Sequence, residues 1–109
     1  MKHDFEDQRR ETFETFEAIQ ADNDLPETSI VEFYLLAEDQ GCDWSGAERA
    51  LKTAGYDTER DEEGDTLIVA TRKALRIDPA TLWAEEKKVT EIGLKFDFVP
   101  DGWEFGFDE

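Results

Sequence analysis

A single cysteine and a single histidine, Cys42 and His3, are the side chains of this 109-residue chain best suited to nucleophilic catalysis. Such catalysis needs a nucleophile beside a base, and His3 stands near the start of the chain, far from Cys42 in sequence. We therefore predict no catalytic role for either residue, whereas acid–base chemistry by a pair of carboxylates stays open at this point. One cysteine cannot form an internal disulfide, which predicts a reduced, cytoplasmic protein.

Metal binding is the next chemistry that the composition suggests, because 29 of the residues are acidic. The segment around Gly64 places Glu59, Asp61 and Glu63 at the first ligand positions of a calcium-binding loop, but Ala70 stands where the bidentate glutamate is required. One histidine and one cysteine are also too few for a typical zinc site. We predict no metal site and, without a glycine-rich phosphate loop, no cofactor.

The charge of the chain excludes further classes. The 29 acidic residues face 12 basic ones, for a net charge of −17. A surface this acidic repels phosphate backbones and anionic lipid, so we predict no direct nucleic-acid binding and no membrane association. No apolar run is long enough to cross a membrane, and the first residues do not resemble a signal peptide.

The acidic excess is concentrated at the two ends, with a net charge of −9 over residues 1–40, −2 over residues 41–77 and −6 over residues 78–109. Two interpretations stay open at this point. The acidity can be a solubilising or salt-adapted surface, or it can be a face that meets a basic partner.

Three helices are predicted from apolar spacing and capping residues, over residues 4–21, 45–54 and 79–96. In the second helix, Ser45 and Glu48 have the spacing of a capping box, and Gly55 suits the left-handed position that follows it. Asp78 and Pro79 are typical of the start of the third. The side chains expected to point inward are Phe5, Phe13, Phe16, Ile19, Leu82, Trp83, Val89, Ile92 and Phe96.

Four strands are predicted, over residues 29–37, 56–60, 66–73 and 103–107. The first is apolar at nearly every position, which is typical of a central strand covered on both faces. A turn at residues 61–65 joins the second and third strands as a hairpin, and a turn at residues 100–102 precedes the fourth.

The order of these elements predicts a single α+β domain over residues 1–109. Residues 29–107 form a ferredoxin-like split βαβ unit, with an extra helix at the N-terminus. Its right-handed crossovers place the second and third helices on one face of a four-stranded antiparallel sheet, in the strand order fourth, first, third, second. The phenylalanines of the extra helix then pack against the other sheet face or a second subunit.

Three segments give the chain a family resemblance. The first is the strand at residues 30–37 and the helix that ends in the sequence LKTAGY, at residues 51–56; the second is the hairpin around residues 61–65; the third and most specific is KFDFVPDGW at residues 95–103. Together they resemble the bacterial ribonuclease E inhibitor family, also called regulator of ribonuclease activity B. The resemblance implies a ferredoxin-like, non-enzymatic protein. Such a protein binds the noncatalytic region of ribonuclease E and lowers the activity of that enzyme.

The predicted function is therefore an acidic, protein-binding regulator of a nuclease that has a basic noncatalytic region. The residues predicted to bind the partner are Glu6, Glu11, Glu14, Glu17, Asp101, Gly102 and Trp103. Two alternatives stay open. One is a small enzyme or ligand-binding module on a ferredoxin-like sheet, and the other is a homodimeric domain paired through the first helix.

Overall fold

The computed structural model describes residues 3–22, 24–37, 41–62 and 64–105. Helices and strands alternate along this part of the chain in an α+β arrangement. In chain order they are α1 (Phe5–Asp22), β1 (Thr28–Ser29), β2 (Val31–Ala37), α2 (Trp44–Thr53), β3 (Tyr56–Arg60), β4 (Thr66–Thr71), β5 (Leu75–Arg76), α3 (Pro79–Leu94) and β6 (Phe98–Phe105).

The main sheet has four strands in the order β3-β4-β2-β6, and every neighbouring pair is antiparallel. The predicted strand order and the central position of β2 and β4 are therefore confirmed. A small sheet of β1 and β5 was not predicted. It divides the expected strand of residues 29–37, since Ser29 pairs with Leu75 while residues 31–37 join the main sheet.

The last strand departs from the prediction at its start. β6 already begins at Phe98 and passes through residues 100–102, where a turn was expected. The register against β2 shifts there, because Phe33 faces Trp103 while Leu35 faces Pro100. Gly102 has a φ of 101°, which favours glycine. The turn-like residues thus form a β-bulge inside a continuous strand. Phe107 of the predicted strand lies outside the described residues.

The helix caps confirm two predictions and correct one. Asp78 accepts a hydrogen bond from the Thr81 amide at 2.8 Å, and Gly55 follows α2 with a φ of 105°. The cap of α2 is Asp43, which accepts from the Gly46 amide at 3.0 Å. The predicted capping box at Ser45 is therefore wrong: an aspartate two residues earlier satisfies the same kind of free amide, so Ser45 already lies within the helix.

The core lies on one side of the main sheet. Val31, Phe33 and Leu35 of β2 are buried there with Leu67 and Val69 of β4, under all three helices. The alternate residues of β2 are half-buried and point to the opposite side, where no helix of the described chain packs. The prediction that β2 is covered on both faces is wrong, because apolar cross-strand neighbours shield one another without a second layer.

Helix α1 lies beside α3 in the helix layer, rather than on the opposite sheet face. Its buried side chains are Gln8, Thr12 and Phe16, and the Phe16 ring lies 6.4 Å from that of Phe105. Phe13, predicted to point inward, is half-buried with the Arg9 guanidinium 4.4 Å from its ring centre. Phe5 is half-buried near Lys87 in the same way, and Trp83 is also half-buried instead of fully in the core.

Close packing of α3 on β2 leads to a stability prediction at Gly93. A Cβ atom at this position would lie 2.9 Å from Cδ1 of Leu35, closer than two carbon atoms can approach. In an open helix, glycine to alanine stabilises by about 1 kcal/mol. We expect Gly93→Ala to lower the free energy of unfolding by about 1–3 kcal/mol instead, because the added methyl overpacks the core. Urea unfolding measures the sign, and a gain in stability would contradict this packing.

Candidate functional site

A cavity of about 430 Å³ opens between the first half of α1 and the bulge of β6. Its wall carries the carboxylates of Asp4, Asp7, Glu11 and Glu86, together with the indole of Trp103. We call the region around this cavity formed by Asp4, Asp7, Glu11 and Trp103 the acidic corner. A side chain that entered it would meet several negative charges and one aromatic ring.

Local structure places these groups together. Asp7 and Glu11 are four residues apart and lie along one side of α1. Asp4 directly precedes the helix, and its carboxylate accepts a hydrogen bond from the Asp7 amide. Trp103 lies on β6, where its ring stacks on that of Phe105 with 5.8 Å between the ring centres. Its indole N–H donates to Oγ1 of Thr12 at 3.4 Å. This contact joins the bulged strand to α1 at the edge of the cavity.

Behind the cavity, a buried polar network ties α1 to α3. Glu86 is 5% exposed, and its carboxylate accepts hydrogen bonds from the Thr12 hydroxyl and from Nε2 of Gln8. Nε2 of Gln8 also donates to Oγ1 of Thr90 at 2.9 Å. The ring of His3 is hydrogen-bonded to the remaining amide oxygen of Gln8. Polar contacts at Gln8 and Thr12 therefore fix the first two turns of α1 along the cavity.

Burial of Glu86 affects its ionisation. Desolvation raises the pKa of its carboxyl, and the neighbouring charge of Glu11 acts in the same direction. Hydrogen bonds from Thr12 and Gln8 favour the charged form and oppose part of this effect. The balance leaves the pKa of Glu86 above its ordinary value, so the ionised form is destabilised in the folded protein.

This shift predicts a pH dependence with a definite sign. Because its pKa is raised, Glu86 binds more protons in the folded state than in the unfolded state. Its own contribution to the free energy of unfolding therefore falls as pH rises above 4.5, the ordinary value for a glutamate. Glu86→Gln removes this titration while keeping a hydrogen-bonding side chain. We expect the variant to gain stability relative to the unmodified protein as pH rises from about 5 to about 8.

Urea unfolding at several pH values checks this prediction. Glu91→Gln is the matched control, because Glu91 is exposed on the same helix. A stability difference for Glu86→Gln that stays constant with pH would show that Glu86 does not titrate abnormally.

The structure divides the seven residues predicted to bind the partner. Glu11, Gly102 and Trp103 line the cavity together. Asp101 is exposed in the bulge beside them. The other three are exposed on α1 and do not line the cavity, namely Glu6, Glu14 and Glu17.

Three acidic residues of the cavity were not among the predicted site residues, although the spacing of each in the sequence indicates its position. Asp4 and Asp7 precede Glu11 at helical spacing, which predicts a shared helix side. Glu86 lies four residues after Leu82 and three before Val89, so the periodicity of α3 already directs it inward. A buried stripe defined by apolar residues alone does not include this polar member.

The two candidates for nucleophilic chemistry lie in separate environments. Cys42 is buried ahead of α2, and its thiol donates to the carbonyl of Asp97 at 3.1 Å. His3 contacts Gln8 and packs edge-on against Phe5. Across residues 3–22, 24–37, 41–62 and 64–105, no group of three histidine, cysteine or acidic side chains is arranged to hold a metal ion. Within the same ranges, no helix is both long and apolar enough to cross a membrane.

Comparison with known proteins assigns the family. A family model described as regulator of ribonuclease activity B matches residues 9–105. The chain belongs to the regulator of ribonuclease activity B family. No curated protein matches the chain. The resemblance seen in the sequence is confirmed, and the matched range contains Glu11, Glu86 and all of β6.

Regulators of ribonuclease activity B are non-enzymatic proteins that regulate ribonuclease E. The family therefore excludes the small-enzyme alternative. It also identifies ribonuclease E as the partner that the family binds. What the family does not specify is the surface of this chain that makes the contact.

Proposed function

We propose that this protein lowers ribonuclease E activity by docking its acidic corner on a basic, noncatalytic segment of the enzyme. The observation that carries the proposal is the cavity that brings Glu11 and Trp103 together from opposite ends of the chain. Long-range attraction between the acidic regulator and a basic segment speeds their encounter, and contacts within the cavity slow their separation. RNA itself is not a partner, since both surfaces would be anionic.

The chemistry of the acidic corner suits a single arginine or lysine side chain. The carboxylate of Glu11 can accept a charge-assisted hydrogen bond from a guanidinium or ammonium group, and that of Asp7, which already pairs with Arg10 on the same helix, lies beside it. The indole of Trp103 can hold the same cation against its π face. The Trp103 ring is half-buried, so its interaction with the cation is screened less than one in open solvent. A basic segment that inserts one such side chain is then positioned along α1.

The role of the fold in this proposal is to position the acidic corner. The strand order and the antiparallel pairing of the main sheet support a ferredoxin-like classification, to which α1 and the β1–β5 sheet are additions. In this proposal α1 is a docking element held in place by Glu86, and the protein acts in the cytoplasm, where a reduced Cys42 is stable.

Ionic strength tests the proposal directly. We expect the association rate with full-length ribonuclease E to fall about tenfold or more as salt rises from about 50 mM to about 200 mM, because screening weakens the attraction. Surface plasmon resonance measures this rate, with a nuclease truncated to its catalytic part as the control that should not bind. An association rate and an affinity that do not change with salt would mean that the acidic surface is only solubilising.

Pairing of two copies through α1 has less support than docking on a basic partner. The exposed side of this helix carries Glu6, Glu14 and Glu17 with few compensating cations, so two copies would bring like charges together. A monomer by sedimentation at low salt and at physiological salt is the expected result.

A further inference from the structure

The side of the main sheet opposite the helices, which we call the open face, has a pattern of its own. Apolar or aromatic side chains occupy the two central strands, with Tyr34 and Leu36 on β2 and Ile68 and Ala70 on β4. Register places Tyr34 directly opposite Ile68, so the two side chains share this side. All four residues are half-buried, and no described helix covers them.

Carboxylates border this apolar centre. Glu59 on β3 faces Ile68, and Glu104 on β6 faces Glu32 on β2, at one end of the open face. Within the described chain, no lysine or arginine forms a salt bridge with any of these three glutamates. Asp57 lies on the same side and is paired with Arg72 at 3.0 Å. The border is therefore negative and largely uncompensated.

Tyr34 links the centre to the border. Its hydroxyl donates to Oε2 of Glu104 at 2.9 Å. Burial and then this hydrogen bond raise the pKa of Tyr34 to about 12, so the phenol stays a donor at every physiological pH. This hydrogen bond fixes the carboxylate of Glu104 at the edge of the apolar centre.

We infer that the open face binds a basic amphipathic helix of a partner protein. A helix is about 10–12 Å across with its side chains, and the outer strands of a four-stranded sheet lie about 14 Å apart. The apolar stripe of such a helix would cover Ile68 and Leu36, while lysine or arginine side chains on its flanks reach Glu59 and Glu104. A second copy of this chain does not fit, because two acidic borders would meet.

This inference goes beyond the proposed function, since the acidic corner lies on the helix side of the sheet and the open face lies on the other. The two surfaces could hold two segments of one partner at once. Binding through both would raise the overall affinity without any new contact at either.

A designed peptide tests the open face with the full chain. The probe is a labelled amphipathic helix of about 18 residues, about five turns, with leucine on one stripe and lysine elsewhere. Its control is a scrambled peptide of the same composition and charge. Fluorescence anisotropy at about 150 mM salt measures the dissociation constant of each.

Three variants locate the binding. Glu59→Lys and Glu91→Lys change the net charge equally, but Glu91 is exposed on α3, away from the open face. Ile68→Thr removes apolar contact while keeping a β-branched side chain in the strand. We expect the amphipathic probe to bind Glu59→Lys and Ile68→Thr about fivefold more weakly than Glu91→Lys, with unfolding curves confirming that all three fold.

Two results would overturn the inference. Equal affinity of the scrambled and amphipathic peptides would show attraction to net charge alone. Equal binding by Glu59→Lys and Glu91→Lys would place the probe elsewhere on the molecule. Either result leaves the acidic corner untouched, because that surface is measured separately with ribonuclease E and with variants of α1.

Discussion

Replacing Trp103 with alanine is expected to speed dissociation from ribonuclease E about 30-fold, corresponding to a loss of about 2 kcal/mol in binding free energy. The indole supplies the large apolar surface of the acidic corner, and tryptophans that a partner covers are typical binding hot spots. The association rate should change little, since no charge is altered. Surface plasmon resonance separates the two rates.

Loss of stability is the competing explanation, because Trp103 also stacks on Phe105 and donates to Thr12. Trp44→Ala is the matched control: Trp44 is likewise half-buried and packs edge-on against Phe98, away from the acidic corner. Trp103→Phe keeps an aromatic ring but loses the N–H donor and part of the ring surface, so it should weaken binding less than Trp103→Ala. If Trp44→Ala and Trp103→Ala weaken binding equally, Trp103 is structural and the cavity is not the contact.

Much of the fold could be predicted because its signals are local or topological. Asp78 before Pro79 begins α3 as its cap predicts, and Gly55 follows α2 in the left-handed conformation. The strand order follows from right-handed crossovers once the element order is known. Such signals act within a few residues or through chain handedness, so no tertiary contact is needed to interpret them.

Predictions failed where one local signal permits two outcomes. Asp101-Gly102 suits a turn, yet cross-strand pairing with β2 makes it a bulge. Whether Tyr34 and Leu36 face a second layer of structure depends on where α1 packs, which no strand pattern specifies. The small β1–β5 sheet likewise joins segments that are distant along the chain.

The candidate site was predicted in part, and its missing half depends on buried polar residues. Glu11 and Trp103 were identified from charge and from aromatic enrichment at interfaces. Gln8, Thr12 and Glu86 orient α1 so that Glu11, rather than Glu6 or Glu17, reaches the cavity. A stripe defined by phenylalanines rotates the helix incorrectly, because this helix buries an amide and a hydroxyl on the side that contacts α3.

The docking proposal is tested most directly by comparing charge reversals on the two sides of α1. Glu11→Lys with Glu14→Lys reverses two charges at and beside the cavity, and Glu6→Lys with Glu17→Lys reverses two on the same helix away from it. Both double variants carry the same net charge, so the overall attraction to a basic segment falls equally. Any difference between them reports contact at the acidic corner.

The measurement is the dissociation constant of each double variant for ribonuclease E at about 150 mM salt. We predict that Glu11→Lys with Glu14→Lys binds about tenfold more weakly than Glu6→Lys with Glu17→Lys, and that its association rate depends less on salt than that of the unmodified protein. Equal affinities for the two double variants would contradict the proposal, because α1 would then contribute net charge without a defined docking site.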